Sequence, residues 1–289
     1  MRVMLTTTVL LLCAYGGLLR IVPEAPRLQA QSQWQRSLLA IQSYLLGHEN
    51  PDVVFTGSSL TRRLDFALDS GRVCNLGLSA NSALTGLMAV DTTTHKPRIV
   101  FVEINYPERD VNRELIRAAT GWQPAVSQLF LVRNIPVNFL ITQVMRFRKV
   151  ASEGATDVGV RETVLDTQLE SYLRPVDPAL LDTRLRQYES LIESIERGGT
   201  RVVLLEMPVH PRIAATVRAE QIRKAFRSKF RGRRMVEGAG LAEGLEIRTT
   251  DGLHLQRREA EAVSARLRRL FEPDESRIPL GDEAQPTRK

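Results

Sequence analysis

A serine hydroxyl becomes a useful nucleophile when a base takes its proton, an acid orients that base, and N–H donors receive the charge that builds on the substrate oxygen. This chain carries suitable residue types for each task. Gly57-Ser58-Ser59-Leu60 follows the apolar run Val53-Val54-Phe55 and offers Ser59 as the nucleophile. Far downstream, Asp251-Gly252-Leu253-His254 stands directly before a helical pattern. There Asp251 can turn its carboxylate toward the imidazole, fixing the tautomer of His254 as the base. Gly77, in Asn75-Leu76-Gly77, has no side chain to keep an oxyanion from its backbone N–H. Asn105, in Glu103-Ile104-Asn105, can donate from its amide. Each piece has an ordinary alternative. Gly-Ser-Ser is a common turn composition, Gly77 can simply end a strand, Asn105 can cap a turn before Tyr106-Pro107, and Asp251 and His254 can open a helix. Their order and context favour serine acyl chemistry.

Two further residues are candidates for the substrate pocket. Ser58 adjoins the nucleophile, and His210 ends a strand between Pro208 and Pro211, with plain loop placement as its alternative. No metal site is expected, because His48, His95, His210 and His254 show no ligand spacing with one another or with Cys13 and Cys74. No organic cofactor is implied, and no disulfide is expected between the two cysteines.

These residues need a frame, and the apolar patterning supplies one. Short buried-type strands are expected over residues 52–56, 73–76, 99–104 and 201–206. Helices are expected between and after them. Trp34, Leu38, Ile41 and Leu45 recur at helical spacing, and residues 82–93 can form a second helix. The clearest helix spans 178–197, with Asp177 as cap, Pro178 in the first turn and Gly198-Gly199 as the stop. Its stripe is Leu181, Leu185, Tyr188, Ile192 and Ile195. A last helix, 257–271, buries Ala260, Val263, Leu267 and Leu270. Such alternation predicts a parallel sheet covered by helices on both faces. Ligands in these folds sit beyond the carboxyl ends of the strands, where Ser59, Gly77, Asn105 and His210 all fall.

On these residues the chain resembles the SGNH, or GDSL-type, hydrolase superfamily. Ser59 matches its first block, Gly77 the second, Asn105 the third, and Asp251 with His254 the last. The resemblance covers roughly residues 52–271. It implies a flavodoxin-like three-layer α/β/α sandwich with a parallel sheet. It also implies a triad of Ser59, Asp251 and His254, and an oxyanion hole of the Ser59 N–H, Gly77 and Asn105. Three positions depart from the family pattern: Ser58 replaces the Asp before the nucleophile, Glu103 replaces a Gly, and Tyr106 replaces an Asp. These departures are compatible with envelope members that transfer acyl groups beside a membrane-bound O-acyltransferase.

Residues 3–19 are uncharged and mostly apolar between Arg2 and Arg20. An uncleaved signal anchor, forming an N-terminal membrane helix, is expected there, with a cleaved signal peptide as the alternative. Either places the remaining chain outside the cytoplasm, in the cell envelope. The expected organisation is residues 1–22 as anchor or signal, 23–50 as linker and amphipathic helix, and 51–271 as the catalytic domain. That domain carries an insertion at about 110–176, and 272–289 form a disordered tail. Within the insertion, residues 125–150 read as a helical hairpin packed on the core, with a lid, a substrate wall or a membrane-facing surface as alternatives, and 152–166 as a loop. The 289-residue chain carries a net charge of +7, and residues 212–234 hold nine basic side chains against the single acid Glu220. That segment is expected to be one helix whose wet basic face either meets an anionic glycan or lipid headgroup or is simply solvated. Nucleic acid is not expected as a partner. The expected activity is esterase or O-acyltransferase chemistry on an acylated, most simply acetylated, envelope polysaccharide. A catalytically silent module that binds anionic glycan or scaffolds an acylation complex is the alternative, and a basic adaptor at the membrane surface is a third.

Overall fold

Five short strands pair in parallel in the order β2-β1-β3-β4-β5, where β1 is Val53–Gly57, β2 Val73–Gly77, β3 Ile99–Glu103, β4 Arg201–Leu205 and β5 Met235–Val236. The structure is a computed structural model and describes residues 32–47, 50–66, 69, 71–120 and 162–271, with a few helical positions between 6 and 14. β1 and β3 are buried at every residue, as central strands of a sheet covered on both sides must be.

Strand side chains alternate between two apolar cores. Val54, Val100, Val102, Val202 and Leu204 face one core. It is closed by α1 (Gln33–Leu46), α2 (Ala83–Thr92), α3 (Arg113–Thr120), α5 (Pro178–Arg197) and α7 (Val217–Lys229). Phe55, Ile99, Phe101, Val203 and Leu205 face the other, closed by α4 (Glu162–Leu173), α6 (Pro211–Ala214), α8 (Gly238–Ala242) and α9 (Arg257–Phe271). On that second side Phe55 stacks on Phe66 and Phe101 at 4.5 Å, and Phe271 meets the group edge-on. The molecule is thus an α/β protein with a parallel sheet between two helical layers.

Helix limits follow from capping. The Ser32 hydroxyl accepts the Gln35 N–H while the Gln35 side chain accepts the Ser32 N–H, a reciprocal cap that starts α1. Asp177 accepts the Leu180 N–H and starts α5. Two expectations need correction, and one element was not anticipated. Residues 212–234 are not one helix, because the Thr216 hydroxyl caps a new one at Ala219 N–H; the chain divides into α6 and α7, with Val217 61% exposed at the start of α7. Residues 162–166 belong to α4 rather than a loop. The two-residue strand β5 carries too little pattern to be read in advance. The hairpin or lid at 125–150, the tail at 272–289 and most of the N-terminal segment lie outside the described residues. Among the described residues no helix is long and apolar enough to cross a membrane.

In this strand order the chain leaves β1 for β2 on one side and returns to β3 on the other. The crevice beyond the carboxyl ends of β1 and β3 is therefore the topological switch point, where ligands collect in such sheets. Ser59 follows β1 and Asn105 follows β3. Continuing the pairing of Thr56 with Val102 sets these two residues level with each other.

Candidate active site

Ser59, His254 and Asp251 meet at that crevice. His254 Nε2 lies 2.8 Å from Ser59 Oγ although 195 residues separate them, and His254 Nδ1 lies 2.6 Å from Asp251 Oδ2. All three side chains are partly open to solvent. With the ring proton on Nδ1 facing Asp251, Nε2 is left to accept from the Ser59 hydroxyl, the arrangement a serine nucleophile needs.

The histidine and its acid share one tightly closed loop. Asp251 Oδ1 accepts the backbone N–H groups of Leu253 at 3.0 Å and His254 at 2.8 Å. Burial pushes the Asp251 carboxyl up, but the hydrogen bonds from the His254 ring and the two backbone amides outweigh it and hold the group down at about 2. The loop is pinned at its neck, where Thr250 N–H donates to His254 O and Gln256 N–H to Arg248 O. Gly252 sits at φ +91° with Leu165 and Ile213 packed against it, a conformation and a space that suit glycine alone.

The amide groups around Ser59 are nearly all occupied. Ser58 and Thr61 N–H donate to Glu103, Leu60 N–H to Ser58 Oγ, and Arg62 N–H to Ser58 O. Among the described residues the Ser59 N–H has no acceptor, so it is available to an oxyanion. Asn105 is bonded at both ends to Met207, donating from Nδ2 to its carbonyl at 3.0 Å and accepting its N–H at 2.7 Å. Its Nδ2 keeps a second N–H for a ligand.

Gly77 does not fit the oxyanion role expected of it. Its N–H donates to Asn75 Oδ1 at 2.9 Å, and a Cβ there would stand 2.2 Å from the backbone nitrogen of Arg62. Glycine is needed at 77 so that the short 3₁₀ turn at Thr61–Arg63 can pack on β2. Just beyond, the N–H groups of Ser79 and Ala80 have no acceptor among the described residues. Ala80 is held at φ +61°, and the Gly57–Gly77 pairing sets Ser79 level with Ser59.

Ser58 does not line a substrate pocket either. It is 1% exposed, and its hydroxyl donates to Glu103 at 2.6 Å. His210 accepts the Arg212 N–H on Nδ1 as the cap of α6, and its own N–H donates to Gly252 O at 2.9 Å. Burial and then the Arg212 charge lower its pKa. Its main chain thereby ties the Asp251–His254 loop to the body of the molecule. A cavity of about 400 Å³ opens beyond β4 and β5, lined by Met207, Val209, Ala239 and Ile247 with the Arg223–Glu206 ion pair at its wall. It borders the Asn105 partner Met207, but neither Ser59 nor His254 lines it.

Sequence reasoning missed Glu103 and Tyr106 as parts of this site. Tyr106 is buried edge-on to Tyr172 and beneath the Arg109 guanidinium, 4.1 Å away. Burial, partly offset by a hydrogen bond from Tyr172, pushes its phenol up to about 12. The only advance signal for either residue was its departure from the pattern of the superfamily that the sequence resembles.

The basic segment is largely neutralised. Arg212, Arg218, Arg223, Arg227, Lys229 and Arg233 pair with Asp166, Glu108, Glu206, Glu237, Glu189 and Glu196. Six of the nine charges are thus directed at acids elsewhere in the fold, which favours the solvated-face alternative over an anionic docking surface. Among the described residues no His, Cys, Asp or Glu cluster is placed to hold a metal ion. No family model, no curated protein and no solved structure matches the chain.

Proposed function

We propose that this protein is a serine esterase or O-acyltransferase of the SGNH type, working through an acyl-enzyme on Ser59. The observation that carries the reading is the continuous path from Ser59 Oγ through His254 to Asp251, at 2.8 and 2.6 Å. Ser59 Oγ attacks the acyl carbonyl and passes its proton to His254 Nε2. The Ser59 N–H and the remaining Asn105 N–H receive the oxyanion, and the second backbone donor is the amide of Ser79 or Ala80 rather than Gly77. Collapse of the tetrahedral species expels the alcohol, which takes the proton back from His254. Water or a sugar hydroxyl, deprotonated by the same imidazole, then releases the acyl group. Asp251 keeps the imidazole oriented and offsets its transient charge.

The parallel sheet, its switch point and the order of the motifs support an SGNH fold. The apolar N-terminal segment supports an envelope location with the catalytic domain outside the cytoplasm. An acylated envelope polysaccharide is then the natural substrate, with a membrane-bound O-acyltransferase as partner. The paired basic segment gives no support to a silent module that binds anionic glycan.

The test is intact-mass detection of a fluorophosphonate or acetyl adduct on the full chain in detergent. An adduct is expected on wild type, absent from Ser59→Ala and slowed by about 10³-fold or more in His254→Ala. A folded wild type that takes up neither reagent would overturn the reading. With the nucleophile established, glycan acceptors separate transfer from hydrolysis.

A further inference from the structure

The turn that carries Ser59 is wrapped around an acid from another strand. Glu103, at the end of β3, is 2% exposed. It accepts four hydrogen bonds, all from the two residues that bracket Ser59-Leu60. Ser58 donates its N–H at 2.9 Å and its hydroxyl at 2.6 Å; Thr61 donates its N–H at 3.1 Å and its hydroxyl at 2.6 Å. Oε2 takes three of these and Oε1 the fourth. Among the described residues no ion pair includes Glu103, so hydrogen bonds from the turn are what compensate its burial.

The neighbouring residues are shaped by this clamp. A Cβ at Gly57 would stand 2.1 Å from Thr61 Oγ1 and 2.5 Å from Glu103 Oε2. The glycine before the nucleophile is therefore required by the carboxylate beneath the turn. The clamp and the Ser58 hydroxyl engage the amides of Ser58, Leu60 and Thr61, while the Ser59 N–H between them has no acceptor among the described residues. The same clamp holds the Ser59 hydroxyl within reach of a histidine on a separate loop.

We propose that Glu103 is the positioning residue of the Ser59 nucleophile, and that Ser58 and Glu103 together replace the acid that the family pattern places directly before the serine. This rests on the acyl-enzyme reading above. The two departures, Ser for Asp at 58 and Glu for Gly at 103, are then one exchange. The carboxylate has moved from the turn to the adjacent strand, and the two altered side chains touch at 2.6 Å. Changing only one side of the exchange disrupts the turn: Ser58→Asp sets two acids together, and Glu103→Ala leaves four donors without an acceptor. Adding the acid at 58 while removing it at 103 gives the turn one acid again.

The experiment uses full-length protein in detergent with two readouts, the fluorophosphonate labelling rate of Ser59 and backbone hydrogen exchange over residues 58–62. Glu103→Ala and Ser58→Asp are each expected to lower the maximal labelling rate about 10²-fold, with little change in the reagent concentration giving half that rate, since the nucleophile is misplaced rather than its pocket altered. Glu103→Gln, which keeps an acceptor oxygen for Oε2's three donors, is expected to recover most of the loss. Ser58→Asp/Glu103→Ala is expected to return to within about tenfold of wild type. Exchange over 58–62 should rise in the single variants and fall again in the double one, while the amides of β3 and β4 stay protected. A folded Glu103→Ala labelled at the wild-type rate would overturn the proposal, as would losses that simply add in the double variant. If Glu103→Ala does not fold, Ser58→Asp and the double variant still decide it. Failure of wild type to label would overturn the acyl-enzyme reading instead, and the exchange data would still decide whether Glu103 holds the turn.

Discussion

The nucleophile turn and the histidine loop solve the same problem in opposite ways. The turn, residues 57–62, owes its shape to a carboxylate 42 to 45 positions away in sequence, on the strand beside it. The loop around Asp251 and His254 is shaped by bonds spanning two to eight residues, and His210 N–H ties it to the body. One half of the site is thus made by tertiary structure and the other by local chain chemistry. The half that moves a proton carries its own orientation with it. The half that attacks depends on correct pairing of β1 with β3.

The sharpest way to break this comparison is to remove the loop's acid. Asp251→Asn is expected to lower the labelling rate by about 10⁴-fold, because the amide no longer selects the productive tautomer. The fold should persist, since the loop's neck bonds do not involve Asp251. The pH dependence follows from its depressed pKa. A carboxyl near 2 in the folded protein, against an ordinary 3.8, gives stability that is fully present above the ordinary value and is lost as pH falls toward 2. Thermal melts should therefore show the gap between wild type and Asp251→Asn closing as pH is lowered through that range. A gap that widens would contradict the assignment.

The same asymmetry explains what was legible in the sequence. Asp251 and His254 could be paired by eye because their partnership spans three residues. Strands β1 to β4 and helices α2, α5 and α9 were legible because apolar periodicity and caps are local signals; Asp177-Pro178 and Gly198-Gly199 delimit α5 almost to the residue. Glu103 was invisible as a structural partner, because nothing in Val102-Glu103-Ile104 says that the acid turns toward Ser58 on another strand. Gly77 was misread for the matching reason. Its lack of a side chain suggested an exposed amide, but the space is filled by the backbone of Arg62. The basic run at 212–234 suggested a docking face, because its acidic partners are scattered from Glu108 to Glu237.

Two glycine substitutions sharpen the contrast in stability. Gly57→Ala drives a methyl into Thr61 and Glu103, within a buried polar cluster that has no room to yield. A loss of about 3 kcal/mol or more is expected, read as a lower denaturation midpoint, with labelling nearly abolished in the folded fraction. Gly252→Ala meets instead the flexible ends of Leu165 and Ile213 at 2.7 and 2.9 Å, at a positive φ. That loop can shift locally, so a smaller loss of about 1–3 kcal/mol is expected, with labelling reduced about tenfold. Equal losses at the two positions would mean that the loop is as rigidly held as the turn.

The smallest expected change in stability concerns the turn after β2. Ala80 is the one non-glycine residue at positive φ among the described residues, and a side chain there costs about 1 kcal/mol relative to glycine. Ala80→Gly should therefore raise the melting temperature slightly, by the equivalent of about 0.5–1 kcal/mol. Its effect on labelling distinguishes two uses of the strain. If the left-handed turn serves to aim the Ser79 or Ala80 amide at the oxyanion, glycine keeps that conformation accessible and the rate stays within about threefold of wild type. Ala80→Pro removes the amide hydrogen and cannot adopt a positive φ, so it should lower the rate by at least about 10²-fold, as loss of an oxyanion donor does elsewhere. A folded Ala80→Pro that labels at the wild-type rate would exclude the Ala80 amide and the left-handed turn as contributors, leaving Ser79 as the one backbone donor that β2 could still add to Ser59 and Asn105.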